Sequence, residues 1–143
     1  MKRLSVLVFA LCATAFAADW ASVKAEPNLE KRSEMAAAYA DQALLDAKAA
    51  WRQGEMAVFT AKLNELREAG DLCLTSLQDT GRPPHKMLKW YKSAELKTRE
   101  LSRRVESFAQ EVGLEDRPAV QKVFERVQTV HEELLLGVLS RKK

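Results

Sequence analysis

His131 is followed directly by Glu132, and this pair begins the HExxH pattern by which a helix presents two histidines to one zinc ion. The pattern needs a second histidine four residues after the first, so that both imidazoles face the same metal. Position 135 is a leucine, and the only other histidine, His85, lies beside a Pro-Pro pair. The motif is therefore incomplete, and we predict no metal site and read Glu132 as a solvated helix acid.

His131 also lies among apolar residues at helical spacing, where a haem ligand would lie; these are Val127, Val130, Leu134 and Val138. Some exported four-helix bundles bind haem between a methionine of the first helix and a histidine of the last, and Met35 is the matching methionine here. No CxxCH motif is present for covalent attachment. We predict no cofactor and expect His131 to be a core residue bonded to a neighbouring polar group. A haem- or metal-carrying bundle that uses His131 is the alternative.

Cys73 is the one cysteine that would remain after removal of an N-terminal export signal. It lies on an apolar helical face, which is typical of a small buried side chain. An odd cysteine in an oxidising compartment also allows an intermolecular disulfide and hence a homodimer. No histidine or other base is adjacent in sequence, so we predict no nucleophilic role.

Other catalytic patterns are missing from the sequence. It contains no glycine-rich phosphate loop, no nucleophile elbow and no EF-hand loop. Its many carboxylates fall on the polar faces of the predicted helices, where solvation is the ordinary role. We therefore predict that the protein is not an enzyme.

Charge is distributed unevenly along the chain. Between residues 82 and 104, eight basic residues face two acidic ones, a local net charge of +6, whereas residues 18–81 carry a net charge of −4. The eight basic residues are Arg82, Lys86, Lys89, Lys92, Lys97, Arg99, Arg103 and Arg104. On a helical wheel they lie mostly opposite the apolar residues of the same segment, so they form a basic helix face.

Three interpretations of this basic face remain open. In the first, it is a solvated face, offset by the acidic first half of the chain and by the helical pairs Glu95–Arg99 and Glu100–Arg104. In the second, it is a docking surface for an acidic protein or for anionic lipid headgroups. In the third, it binds nucleic acid, which an export signal argues against.

The N-terminus has the three parts of a secretory signal peptide. Lys2 and Arg3 precede an apolar run, which is shorter than the roughly 20 residues that span a bilayer, and Ala15-Phe16-Ala17 follows it. We predict cleavage after Ala17, with Ala18 as second choice, and an exported protein that is periplasmic or secreted. We expect residues 18–28, which include a proline and show no lasting period, to be a flexible segment.

The remaining chain, residues 29–143, predicts one all-α domain. Apolar residues recur at steps of three and four over 29–52, 55–78, 85–112 and from Asp116 to about residue 140. Gly54, the TGRPP segment at 80–84 and Gly113 separate these helices. The short links predict an antiparallel up-down-up-down four-helix bundle. Long helical hairpins completed by dimerisation are the alternative.

Two segments, EPNLEKRSEMAAAYADQALLDAKAAWRQGE and HKMLKWYKSAELKTRELSRRVE, together resemble a group of small exported bacterial proteins of unknown function. In that group a leading EPN-type segment precedes a helical hairpin and a basic helix. The resemblance implies a secreted helical bundle and carries over no catalytic or ligand residue. We expect an exported, non-catalytic protein, an accessory or adaptor of the cell envelope, that acts through its basic helix face.

Overall fold

The computed structural model describes residues 19–140, and within that range it contains helices and no strand. The elements in chain order are α1 (Trp20–Ala25), α2 (Leu29–Arg52), α3 (Met56–Gln78), a 3-10 helix (Pro84–Lys86), α4 (Leu88–Glu111) and α5 (Arg117–Leu139). The all-α class predicted from composition is confirmed for these residues. The predicted signal peptide over 1–17 lies outside the described range.

The helices α2 and α3 form an antiparallel hairpin around the tight turn at Gly54. Ser33 Oγ donates to the carbonyl oxygen of Cys73 at 2.7 Å, and the Tyr39 hydroxyl donates to Glu65 at 2.8 Å. Residue numbers rise along α2 as they fall along α3, which is the signature of antiparallel packing. Gly54 takes a φ of 74°, a left-handed conformation that glycine adopts without strain.

The helices α4 and α5 form a second antiparallel hairpin. Ser102 Oγ donates to Gln128 at 2.7 Å, and His131 Nε2 lies 3.0 Å from Glu95 Oε1. These two contacts between side chains fix the register of α4 against α5.

The two hairpins pack side by side, with α2 next to α4 and α3 next to α5. An ion pair crosses each of these contacts: Arg104 lies 3.6 Å from Asp41, and Arg126 lies 2.6 Å from Asp71. The consecutive helices α3 and α4 contact each other little, because they lie diagonally opposite each other and the chain crosses from one hairpin to the other between them. This packing is consistent with the predicted four-helix bundle.

The core is filled by inward-facing residues that recur along each helix at steps of three and four. We call the eight such residues of α4 and its two cap positions the α4 seam, and all of them are buried: Met87, Tyr91, Ala94, Thr98, Leu101, Val105, Phe108 and Val112. Helix α2 contributes mainly alanines, which allow its neighbours to approach closely, and the Phe59 and Phe108 rings meet edge to face at 6.1 Å. Met56 is an exception on α3, since it is 41% exposed. As the first residue of α3, it lies at the end of the hairpin and has packing neighbours on one side only.

The prediction of a flexible segment over 18–28 was wrong for residues 20–25, which form α1. Asp19 caps this helix by accepting the Ser22 amide at 2.7 Å, and Val23 is completely buried. Trp20 stacks on Tyr39 with ring centroids 5.1 Å apart. Six residues are too few to display a helical period, so the sequence pattern did not reveal this helix.

One predicted helix start needs adjustment, and the start predicted at Asp116 agrees with α5. The third long helix begins at Leu88 rather than at residue 85, since the chain first makes a 3-10 turn after its prolines. Asp116 does occupy the cap position of α5, but its side chain makes no capping hydrogen bond. Its carboxylate instead accepts the indole N–H of Trp51 at 3.0 Å, which ties the loop before α5 to the end of α2.

We predict opposite effects for two glycine-to-alanine substitutions in buried helix positions. A Cβ on Gly137 would collide with the Tyr91 ring, so Gly137→Ala should lower the free energy of unfolding by about 1–3 kcal/mol. A Cβ on Gly70 would meet Val127 at an ordinary 3.9 Å, so Gly70→Ala should raise it by up to about 1 kcal/mol. Urea denaturation measures both. Equal stability of the two variants would contradict the close contact between Gly137 and Tyr91.

Candidate functional site

All eight residues of the predicted basic face are exposed. Three of them pair with acidic residues of the same molecule. Arg82 lies 3.8 Å from Glu30, while Arg99 and Arg104 make ion pairs that are treated below. The other five have no ion pair with any residue in the range 19–140; they are Lys86, Lys89, Lys92, Lys97 and Arg103.

Four of the eight basic residues form what we call the outer basic stripe: Lys89, Lys92, Arg99 and Arg103. Together with Leu96 they recur at steps of three and four, so they follow one line along α4 for about 21 Å. This line is opposite the buried seam of α4, because a helix whose apolar residues all point inward must turn its remaining residues outward.

Two further cations lie on the flank of α4 that faces α2. Arg104 is shared between Asp41 of α2, at 3.6 Å, and Glu100, at 3.5 Å. Lys97 lines a small cavity between α2 and α4 together with Glu34. The acidic α2–α3 hairpin therefore offsets this flank and leaves the outer basic stripe without a matching acidic neighbour on α2.

The stripe is joined to the core through Glu95, a carboxylate that is only 4% exposed. One oxygen, Oε1, accepts the Arg99 Nε–H at 2.9 Å and lies 3.0 Å from His131 Nε2. Burial of Glu95 opposes its ionisation, but the hydrogen bonds from His131 and Arg99 outweigh burial and hold the pKa of this carboxyl below its ordinary value. The predicted helical pair Glu95–Arg99 is thus present, and its carboxylate also binds α5.

We predict that Glu95→Gln lowers the free energy of unfolding by about 1–3 kcal/mol at neutral pH, because charge-assisted hydrogen bonds are lost. A lowered pKa in the folded state means that the stabilisation is complete above the unfolded-state pKa and disappears as the pH falls through the folded-state pKa. The difference between variant and wild type should therefore shrink on acidification, as measured by urea denaturation at several pH values.

The matched control for this experiment is Glu100→Gln. Glu100 is exposed and pairs with Arg104 in the same helical spacing, so its loss should change stability by less than about 0.5 kcal/mol. If both variants lost the same small amount, Glu95 would be an ordinary surface acid.

His131 has the environment that the sequence analysis favoured, a half-buried imidazole bonded to a neighbouring polar group. A carboxylate accepts only, so Nε2 donates to Glu95, and in the neutral ring Nδ1 is then the bare nitrogen. Nδ1 is buried and has no hydrogen-bond partner among the described residues. Within 19–140, no three histidine, cysteine or acidic side chains are grouped as metal ligands would be.

The structure does not bring Met35 and His131 together across a haem site. Met35 is on α2 and His131 is on α5, and these helices occupy opposite corners, since each packs mainly against α3 and α4. Nε2 of His131 is also engaged by Glu95. His85 and Glu132, the other residues of the incomplete zinc motif, lie on the 3-10 helix and on the solvent side of α5.

Cys73 is completely buried in the α2–α3 interface. Its sulfur lies 3.5 Å from Ser33 Oγ. Burial raises the pKa of the thiol, although the Ser33 hydrogen bond opposes this effect. This position argues against the intermolecular disulfide that the cysteine count allowed, because a partner sulfur could reach Cys73 only after the hairpin opened.

We predict that Cys73 of the folded protein resists a thiol reagent such as Ellman's reagent and reacts fully in denaturant. The reason is that the reactive thiolate is disfavoured and the sulfur is out of reach. The absorbance time course with and without urea measures this. Rapid reaction of the folded protein, or a dimer that reductant converts to monomer, would contradict the buried position.

Four exposed leucines near the basic stripe were missed in the sequence analysis. Leu88 (37% exposed) and Leu96 (55%) are on α4, and Leu136 (68%) and Leu139 (64%) are on the last turns of α5. Their signal was present in the sequence, since positions 88 and 96 do not fit the inward spacing of α4. Such residues are easily overlooked because single exposed leucines are common on soluble proteins.

None of the helices in the described range is long and apolar enough to cross a lipid bilayer. Comparison with known proteins found no family model, no curated protein and no solved structure that matches this chain. The resemblance to small exported bacterial proteins therefore stays a prediction.

Proposed function

We propose that this protein is an exported, non-catalytic interaction protein whose outer basic stripe docks on an anionic surface. The observation that carries the proposal is a line of four exposed cations on α4. Three of them, Lys89, Lys92 and Arg103, have no ion pair within the described residues. Acidic residues offset Arg99 and the flank of α4 that faces α2, but not these three cations.

The proposed architecture behind the stripe is a four-helix bundle, in which two antiparallel hairpins share one core. Close packing of alanine-rich α2 and the seam of α4 supports it, because both helices bury one face over their whole length. A rigid helix fixes the backbone positions of its cations, so docking has to order their side chains but not the chain that carries them.

Export is the second part of the proposal. It rests on the basic, apolar and small-residue parts of residues 1–17. Export places the basic stripe where anionic partners are proteins and lipids rather than nucleic acid.

We predict that the triple variant Lys89→Gln, Lys92→Gln, Arg103→Gln elutes from a polyglutamate-coated matrix at a clearly lower salt concentration than the wild type. Clustered cations bind a polyanion together, so the loss of three neighbours weakens retention more than net charge alone requires. The elution position in a salt gradient is the measurement, and thermal unfolding verifies that the variant is folded.

The control variant carries the same change in net charge away from the stripe: Lys31→Gln, Arg67→Gln, Lys122→Gln, all at exposed positions. It should elute close to the wild type. Equal shifts of the two triple variants would show that only net charge matters, and the proposed docking function would have to be given up.

A further inference from the structure

We infer that the outer basic stripe and three exposed leucines of α4 and α5 form one docking surface for an anionic lipid bilayer. This inference rests on the proposed function, and it names the anionic surface that the stripe meets. We call these three leucines the leucine edge: Leu88, Leu96 and Leu139.

The register of the second hairpin places Leu88 and Leu139 of the leucine edge at one end of the molecule, while Leu96 lies about two helical turns further along α4. Leu88 lies seven residues before Glu95 in α4, and Val138 lies seven residues after His131 in α5. Seven residues are about two helical turns, and the helices are antiparallel, so the beginning of α4 and the end of α5 are level with each other. Leu139 follows directly in α5.

The same end of the molecule is rich in unpaired cations. Lys86, Lys89 and Lys92 are exposed around the beginning of α4, and none has an ion pair within residues 19–140.

The alternation of leucine and cation on α4 fits a bilayer interface better than a protein groove. A helix that binds in an apolar groove presents adjoining apolar residues along one face. On the outer face of α4, Leu96 instead stands between cations, with Lys92 on one side and Arg99 on the other. A groove that accepted Leu96 would therefore have to cover several charges.

A bilayer interface offers anionic groups for the cations and an apolar region for the leucines, at different depths. Anionic phosphates at headgroup level attract Lys and Arg, whose long stems let the charge stay in water while a neighbouring leucine reaches the acyl boundary. Cations or apolar side chains alone give marginal, reversible binding, whereas the two together give stable attachment. The described helices need not cross the membrane for this attachment.

The test is co-sedimentation with phosphatidylcholine vesicles that contain or lack phosphatidylglycerol. The protein is isolated as the cell processes it, and intact-mass measurement establishes that all variants share one N-terminus. The wild type should bind the anionic vesicles, dissociate from them on addition of salt, and not bind the neutral vesicles. The triple glutamine variant of the stripe should bind the anionic vesicles roughly 100-fold more weakly.

The decisive variant removes the leucine edge while leaving the charge unchanged: Leu88→Ser, Leu96→Ser, Leu139→Ser. It should bind anionic vesicles about tenfold or more weakly and keep its wild-type elution from the polyglutamate matrix. The matched control is Leu45→Ser, Val58→Ser, Leu114→Ser, which changes exposed apolar residues on other surfaces. This control should bind vesicles like the wild type.

The outcomes separate the two proposals. Vesicle binding that is equal in the leucine-edge variant and the wild type overturns the bilayer inference. Retention on polyglutamate without any binding to anionic vesicles overturns it as well and leaves an acidic protein as the partner of the stripe. Equal behaviour of the stripe variant and its charge-matched control on both surfaces overturns the proposed function itself.

Discussion

Burial of the α4 seam is the constraint on which the surface of this protein depends. Eight apolar or small positions from Met87 to Val112 all face inward, and the free energy gained from their removal from water holds the helix in one rotational setting. A rotation of α4 about its axis would expose this seam and bury cations. The outer basic stripe therefore faces solvent as a consequence of core packing, and its spacing is as rigid as the core.

Glu95 is the one acidic residue of the long helices that lies below the surface, and it connects the core to the stripe. A buried carboxylate is costly unless hydrogen bonds replace the water it loses. His131 of α5 and Arg99 of α4 provide them, so the charge is retained and the two helices are held in a single register. That register brings the end of α5 beside the beginning of α4, and with it places exposed leucines next to exposed lysines.

The small residues of the bundle determine how closely its helices approach. Alanines line the inner face of α2, and Gly137 of α5 accommodates the Tyr91 ring of α4 in the space that a side chain would occupy. Short side chains at a contact reduce the distance between helices, which strengthens dispersion contacts over their whole length. The short helix α1 completes the core with Val23 and with the stack of Trp20 on Tyr39.

The sequence by itself determined the helical class, the approximate bounds of the long helices, the seam of α4 and the outward position of its cations. These follow from local periodicity, because a helix places residues three and four apart on one face. The tertiary structure decided which helices are neighbours, the partner of His131, the burial of Cys73, the helix at residues 20–25 and the placement of Leu88 and Leu139 at the same end of the molecule. Each of these depends on contacts between residues far apart in the chain, and the period of a single helix carries no information about them.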